Sequence, residues 1–324
     1  MENMEKRVVD YLRVSITDRC NLRCRYCMPD KGISLVPHSE TLRYEELLRV
    51  VACAARAGIQ KIKVTGGEPL VRRGVLGFLE KLRGIKGIRQ VTMTTNGILL
   101  PQFLPQLAQI GVEAVNVSLD TLNPETFRAI TRRDGLADVL RGIDAALTLG
   151  LRIKINAVPI AGLNEDELPA LAELAKDKPL DVRFIELMPI GCGAAFTPVK
   201  TDEVRHRLEQ AFGPLMPWEG RRGNGPARYV SVEGFAGKIG FISPLSHSFC
   251  RTCNRLRLTA TGLLKPCLAS GNAVPLWPLL RTGAGDAQLT ALLEKTITQK
   301  PLAQDFAQMN ASCPEQKKMA QIGG

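Results

Sequence analysis

Three cysteines crowd into RCNLRCRYC: Cys20, Cys24 and Cys27. A structural zinc site takes four protein ligands in a closed tetrahedron. No further cysteine or histidine lies close by to supply the fourth. Three thiolates with one open position suit an iron–sulfur cluster whose fourth iron binds an exchangeable group. A second set follows in CRTCNRLRLTATGLLKPC: Cys250, Cys253 and Cys267. It also stops at three. His247, just upstream, could complete a Cys₃His zinc site, an ordinary arrangement, so from the residues alone that reading stays open. The chain has 9 cysteines, an odd count in a large chain that reads as cytosolic. Metal or redox work is therefore expected rather than a disulfide framework. Cys53 sits in the helical pattern EELLRVVACAARAG and reads as a small core residue. Cys192 and Cys313 stand alone, with no role assigned.

The elements that must position these thiols alternate. YLRVSIT, KIKVTGG, RQVTMTTNG, AVNVSLD, RIKINAVPI and VRFIELMPI read as strands. Helical patterns separate them. One covers residues 41 to 57 and stops at Gly58. Another opens at NPETFRAI, with Asn123 as cap and Pro124 in the first helical position. About six strand–helix units of roughly 30 residues imply parallel strands joined by right-handed crossovers. Periodicity does not choose between an open sheet and a barrel. Near residue 213 the pattern changes to a Gly- and Pro-rich linker. RYVSVEG and GKIGFISPLS then read as an antiparallel pair. We expect one domain over residues 1–222 and a smaller one over 223–324.

CNLRCRYC followed by TGGEP resembles the radical S-adenosylmethionine superfamily. The C-terminal cysteines around CNRLRLT, the preceding GPA and the terminal Gly-Gly extend the likeness. Together, over nearly the whole chain, they are similar to the GTP 3′,8-cyclase family of molybdenum cofactor biosynthesis. The resemblance implies a laterally open partial (β/α)₆ barrel, with the second cluster carried by the smaller C-terminal domain. It implies two [4Fe–4S] clusters, on Cys20, Cys24 and Cys27 and on Cys250, Cys253 and Cys267. It implies S-adenosylmethionine beside Tyr26, Gly67, Ser118 and Met188. GTP is the implied substrate, held by Arg13, Lys63, Thr94, Lys154, Arg255 and Arg257. Arg255, Arg257 and the tail residues Gly323 and Gly324 are the implied catalytic group. The implied product is a 3′,8-cyclised nucleotide. Further partners would be an electron donor and a downstream cyclic pyranopterin monophosphate synthase, and the chain would form a homodimer.

The residues bear on this independently. Arg13, Lys63 and Lys154 each interrupt an apolar strand pattern, so a solvated surface charge explains them poorly. A cation in such a strand points inward or costs burial energy without a partner. Arg255 and Arg257 alternate and can share one strand face. Glu68 and Pro69 read as shaping a strand end rather than binding metal. A Gly-Gly end is otherwise an ordinary frayed terminus.

Lys plus Arg is 43 against 32 Asp plus Glu, a net charge of +11 over 324 residues. The excess suits an anionic partner, yet no basic block reads as a nucleic-acid arm. Aromatics at 5% argue against a single-strand stacking surface. No apolar run would span a bilayer and no secretory signal is evident. A cytoplasmic enzyme without nucleic-acid or membrane partners is expected. The competing readings are a radical S-adenosylmethionine enzyme acting on a peptide and a zinc-containing nucleic-acid-binding protein.

Overall fold

The computed structural model describes residues 7–220, 222–302, 315 and 317–323. Six parallel strands come first: β1 (Tyr11–Ser15), β2 (Lys61–Thr65), β3 (Gln90–Thr95), β4 (Ala114–Ser118), β5 (Arg152–Ala157) and β6 (Asp181–Ile185). Each pairs with the next in chain order. Parallel neighbours need crossovers. These are α1 (Tyr44–Arg56), α2 (Val75–Arg83), α3 (Leu100–Ile110), the pair α4 (Pro124–Thr131) and α5 (Leu136–Thr148), and α6 (Leu168–Asp177). Helix α4 starts as its sequence dictates. Asn123 Oδ1 accepts from the Glu125 and Thr126 amides at 2.8 and 3.1 Å, and Pro124 needs no partner for an N–H it lacks.

The rest of the chain extends both edges of this sheet. After α7 (Thr201–Phe212) come β7 (Met216–Trp218), β8 (Arg228–Ser231) and β9 (Lys238–Ile242). Strand β9 joins β6 in parallel, β8 runs antiparallel to β9, and β7 to β8. The expected antiparallel pair is β8 and β9; the Gly- and Pro-rich stretch before it also carries β7. Strand β10 (Arg255–Leu258) crosses to the opposite edge and pairs in parallel with β1. Strands β11 (Leu263–Lys265) and β12 (Val274–Pro275) continue antiparallel. One 12-stranded sheet results, with β12 and β7 at its two ends. Those ends do not pair among the described residues, so the barrel is partial and laterally open. Helices α8 (Trp277–Arg281) and α9 (Asp286–Thr298) follow. Asp286 fastens α9 to α1 by accepting from Arg49 and Arg56 at 2.7 and 2.8 Å.

Side-chain alternation decides what the barrel holds. Leu12 and Val14, Ile62 and Val64, Val91 and Met93, and Val115 and Val117 are fully buried in the main core, which the crossover helices share. The alternate positions Arg13, Lys63, Thr92, Thr94, Asn116, Lys154, Asn156 and Arg183 line a single cavity. Parallel strands buried on both faces ordinarily read as continuous apolar runs. Here one face is polar, so the barrel interior is a lined cavity and not a packed core.

Candidate active site

The two cysteine sets lie at opposite ends of the parallel strands. Cys20, Cys24 and Cys27 follow β1, at the C-terminal ends. Cys27 and Met28 amides donate to the Cys24 carbonyl at 2.9 and 3.0 Å, closing a tight turn. The Leu22 amide and Asn96 Nδ2 donate to Cys20 Sγ at 3.4 and 3.8 Å. Burial pushes the Cys20 thiol up to about 11 and Cys27 to about 12, and lifts Cys24 well above the usual thiol range. Cys250 and Cys253 directly precede β10, which is parallel to β1, and Cys267 follows the antiparallel β11. This set therefore sits at the N-terminal end. Burial raises the Cys253 thiol, but Arg255 and Lys300 override it and bring it down to about 7. All six cysteines line the same cavity of about 710 Å³. A five-residue strand rises about 16 Å, a length suited to an extended nucleotide between the two sets.

His247 does not join the second set. Its Nε2 stands 3.4 Å from Asp202 Oδ1. Among the described residues no group of three or more His, Cys, Asp or Glu closes around a single ion.

Between the ends runs a band of cations. Arg257, Arg13 and Lys63 are register partners on β10, β1 and β2, with Thr92 next on β3. Adjacent strands are about 4.8 Å apart, so three positive charges share one rung. Burial lowers Arg13 to about 10 and holds Lys63 and Arg257 well below their ordinary ranges; neighbouring cations add to each effect. Among the described residues no carboxylate pairs with Lys63, Arg257 or Arg183. Arg183 Nε, Thr94 Oγ1 and Asn156 Oδ1 are buried without hydrogen-bond partners. Such groups await a polar ligand. Lys154 differs. Its ammonium donates to Asp181 at 3.0 Å, to the Arg222 carbonyl at 2.6 Å and to Tyr229 Oη at 3.0 Å. Lys154 thus faces the cavity already paired, sharing Asp181 with Arg222, whose Nη1 donates to the other carboxylate oxygen at 2.7 Å.

Tyr26, Gly67, Ser118 and Met188 also line the cavity, as does Arg255 beside Cys253. At Gly67 a Cβ would stand 2.4 Å from the Arg19 carbonyl oxygen. Only glycine lets β2 end this close to the cysteine loop. Tyr26 Oη donates to Asp120 Oδ2 at 2.7 Å, and Asp120 Oδ1 accepts from the Val158 amide at 2.8 Å. Burial raises Asp120 to about 6. Glu68 accepts from Leu70 N, Thr95 Oγ1 and Asn96 N at 3.0, 2.7 and 2.7 Å, tying β2 to β3.

At the chain's end, Gly323 adopts φ +87°, and Arg257 Nη1 donates to its carbonyl at 2.7 Å. A Cβ there would meet Ser15 Cβ at 2.6 Å. Gly324 and Cys313 lie outside the described residues. Cys53 is fully buried in α1, and Cys192 is partly exposed. The sequence reading passed over Arg183, Asp120, Asn156 and Asn96. Arg183 carried a usable signal, since it interrupts DVRFI just as Arg13 interrupts YLRVS. The others lie at strand ends, where polar residues are common.

Residues 14–175 match the family described as Radical SAM superfamily, and residues 180–306 match Molybdenum Cofactor Synthesis C. The chain is 46% identical over 328 residues to the GTP 3′,8-cyclase of Pelotomaculum thermopropionicum, with all of both chains covered. This chain belongs to the GTP 3′,8-cyclase family. A second family member, from Heliobacterium modesticaldum, is 46% identical over 322 residues and 98% of each chain. Among solved structures, Streptococcus suis SuiB bound to S-adenosylmethionine matches with a TM-score of 0.62 at 14% identity, covering 88% of this chain and 68% of that one. That likeness speaks to the fold. The residues present fit the cofactors of the GTP 3′,8-cyclase family, S-adenosylmethionine and two [4Fe–4S] clusters. Each cysteine set offers three thiols to the cavity, Gly67 lines it beside the first set, and between the sets lie orphaned polar atoms and the cations Lys63, Arg183 and Arg257, which have no carboxylate partner among the described residues. Among the described residues no helix is long and apolar enough to cross a membrane.

Proposed function

We propose that this enzyme cyclises GTP to (8S)-3′,8-cyclo-7,8-dihydroguanosine 5′-triphosphate, an early step of molybdopterin biosynthesis. The observation that carries the reading is the rung of cations suspended between two three-cysteine sets in one cavity. Cys20, Cys24 and Cys27 would hold the first cluster, with S-adenosylmethionine against Tyr26, Gly67, Ser118 and Met188. When bound, these supply a carbon-centred radical able to take a hydrogen atom from C3′ of the ribose. Cys250, Cys253 and Cys267 would hold the second cluster, which would supply a Lewis-acidic iron for the guanine base.

The chain's own residues do the positioning. Arg13, Lys63, Arg183, Arg255 and Arg257 take the triphosphate oxygens, arginine as forks and lysine as a point charge. Thr94 and Asn156 offer their unpaired oxygens to hydroxyl or amino groups of the nucleotide. Lys154 reaches phosphate by exchanging Asp181 for it. Asp120 orients Tyr26 through its hydroxyl. Guanine held at one end and the triphosphate held midway leave the ribose no freedom to turn, which serves proximity. The Gly323 carbonyl fixes Arg257. The enzyme works in the cytoplasm as a homodimer, draws electrons from a separate donor, and passes its product to cyclic pyranopterin monophosphate synthase.

Anaerobically reconstituted protein should contain about eight irons per chain. With GTP, S-adenosylmethionine and reductant it should yield 5′-deoxyadenosine and a cyclised nucleotide. Formation of 5′-deoxyadenosine with GTP unchanged rejects the substrate.

A further inference from the structure

Lys265 is 1% exposed, on β11, in register with Arg257 on β10. Its ammonium donates to the Ser270 carbonyl and to the Glu315 carboxylate. The paired side chains are 1% and 4% exposed. Among the described residues Glu315 is the only carboxylate partner of Lys265, and it comes from the C-terminal tail. Glu315 Oε1 also accepts from the Lys317 amide at 2.8 Å. The tail then turns through the short helix Met319–Ile322, where the Lys318 amide donates to Gln321 at 2.9 Å. Ile322 packs with Ile190 and Ala269, and Gly323 meets Arg257. Neighbouring basic residues on adjacent strands thus grip the tail at two points, one outside the cavity and one within it.

We propose that the buried Lys265–Glu315 pair is a latch that seats the tail, so that the Gly323 carbonyl orients Arg257 in the cavity. Both are positioning residues; neither touches the cavity itself. A buried ammonium stripped of its carboxylate is strongly disfavoured, so departure of the tail is penalised at Lys265 as well as at Arg257. Without the latch, Arg257 loses its carbonyl partner and the cavity opens beside the triphosphate rung. This consequence for turnover rests on the GTP-cyclising reading, whereas retention of the tail does not.

The test uses the full-length, cluster-loaded protein under anaerobic conditions. Trypsin can cut after Lys318, and mass spectrometry follows release of residues 319–324. Glu315→Ala should release this fragment at least about tenfold faster than the parent protein. It should also lower cyclised nucleotide formed per 5′-deoxyadenosine by at least about tenfold, with iron content unchanged. Glu315 belongs to the tail, so the substitution changes no barrel residue, and the unpaired Lys265 it leaves is removed in the double variant. Glu315→Gln, which can still accept from Lys265, should stay within about threefold in both measures. The double variant Lys265→Met with Glu315→Leu replaces the pair with apolar contact and should return tail release towards that of the parent. Equal release from Glu315→Ala and the parent overturns the latch. Faster release with an unchanged product ratio overturns its positioning role. A parent protein that makes no cyclised nucleotide sinks the GTP reading alone, and tail release still decides whether the latch exists.

Discussion

Burial lifts Glu68 from its ordinary 4.5 to about 7, and three hydrogen-bond donors only partly offset that cost. The unfolded chain binds this proton only below about 4.5, while the folded chain binds it up to about 7. Across that window the folded state holds the extra proton. Stability from this residue is therefore full at the acid side, falls as pH rises towards 7, and stays lost above it. Asp120, raised to about 6, adds a slope of the same sign. Glu68→Gln should accordingly flatten, without abolishing, the fall in melting temperature between pH 5 and pH 8. Thermal melts of both proteins in the same cluster state read this out; an equal fall in the two would refute the assignment. Glu68 was legible as a residue that shapes a strand end. Two of its three partners were not, because Thr95 and Asn96 reach it only when β3 lies beside β2.

At the scale of the strand, alternation was the most informative signal. It separated Leu12 and Val14 from Arg13, and Ile62 and Val64 from Lys63, and the structure puts each on the side its pattern implies. Register was beyond reach. That Arg257, Arg13 and Lys63 fall on one rung follows from β10 pairing with β1 across some 240 intervening residues. Like charges held side by side in a low-dielectric interior cost stability unless an anion joins them. Lys63→Met removes one of them. It should raise the melting temperature of the ligand-free protein, by the equivalent of about 1–3 kcal/mol. The same change should raise the Michaelis constant for GTP at least about tenfold. Calorimetry and steady-state kinetics test the two halves. A destabilised variant with unaltered GTP dependence would contradict both. Lys154 should respond less cleanly, because its removal leaves Asp181 with Arg222 alone and takes one of two donors from the Arg222 carbonyl.

For the whole molecule, part of the positive excess of +11 lies inside, on the cations that line the cavity. An anion that fills the cation rung should stabilise the fold by mass action. Inorganic triphosphate at a hundred times its dissociation constant should add about 2.7 kcal/mol, seen as a raised melting temperature that fades with salt. Absence of any shift over millimolar concentrations would count against the rung as the triphosphate site. The C-terminal segment also belongs to this scale. It builds out both edges of the sheet, and through β10 it delivers the second cysteine set to the far end of the cavity.

The sequence by itself determined the chemistry on offer: two thiol sets of three, inward cations in apolar strands, and a βα rhythm that makes the strands parallel. These are local properties, set by residue type, spacing and side-chain alternation. Tertiary structure alone decided that the two sets face one cavity from opposite strand ends, that Lys154 is already paired with Asp181, and that a buried lysine on β11 holds the tail. Each depends on which distant strands become neighbours and in what register. That is fixed by burying the whole apolar face at once, and no stretch of chain contains it.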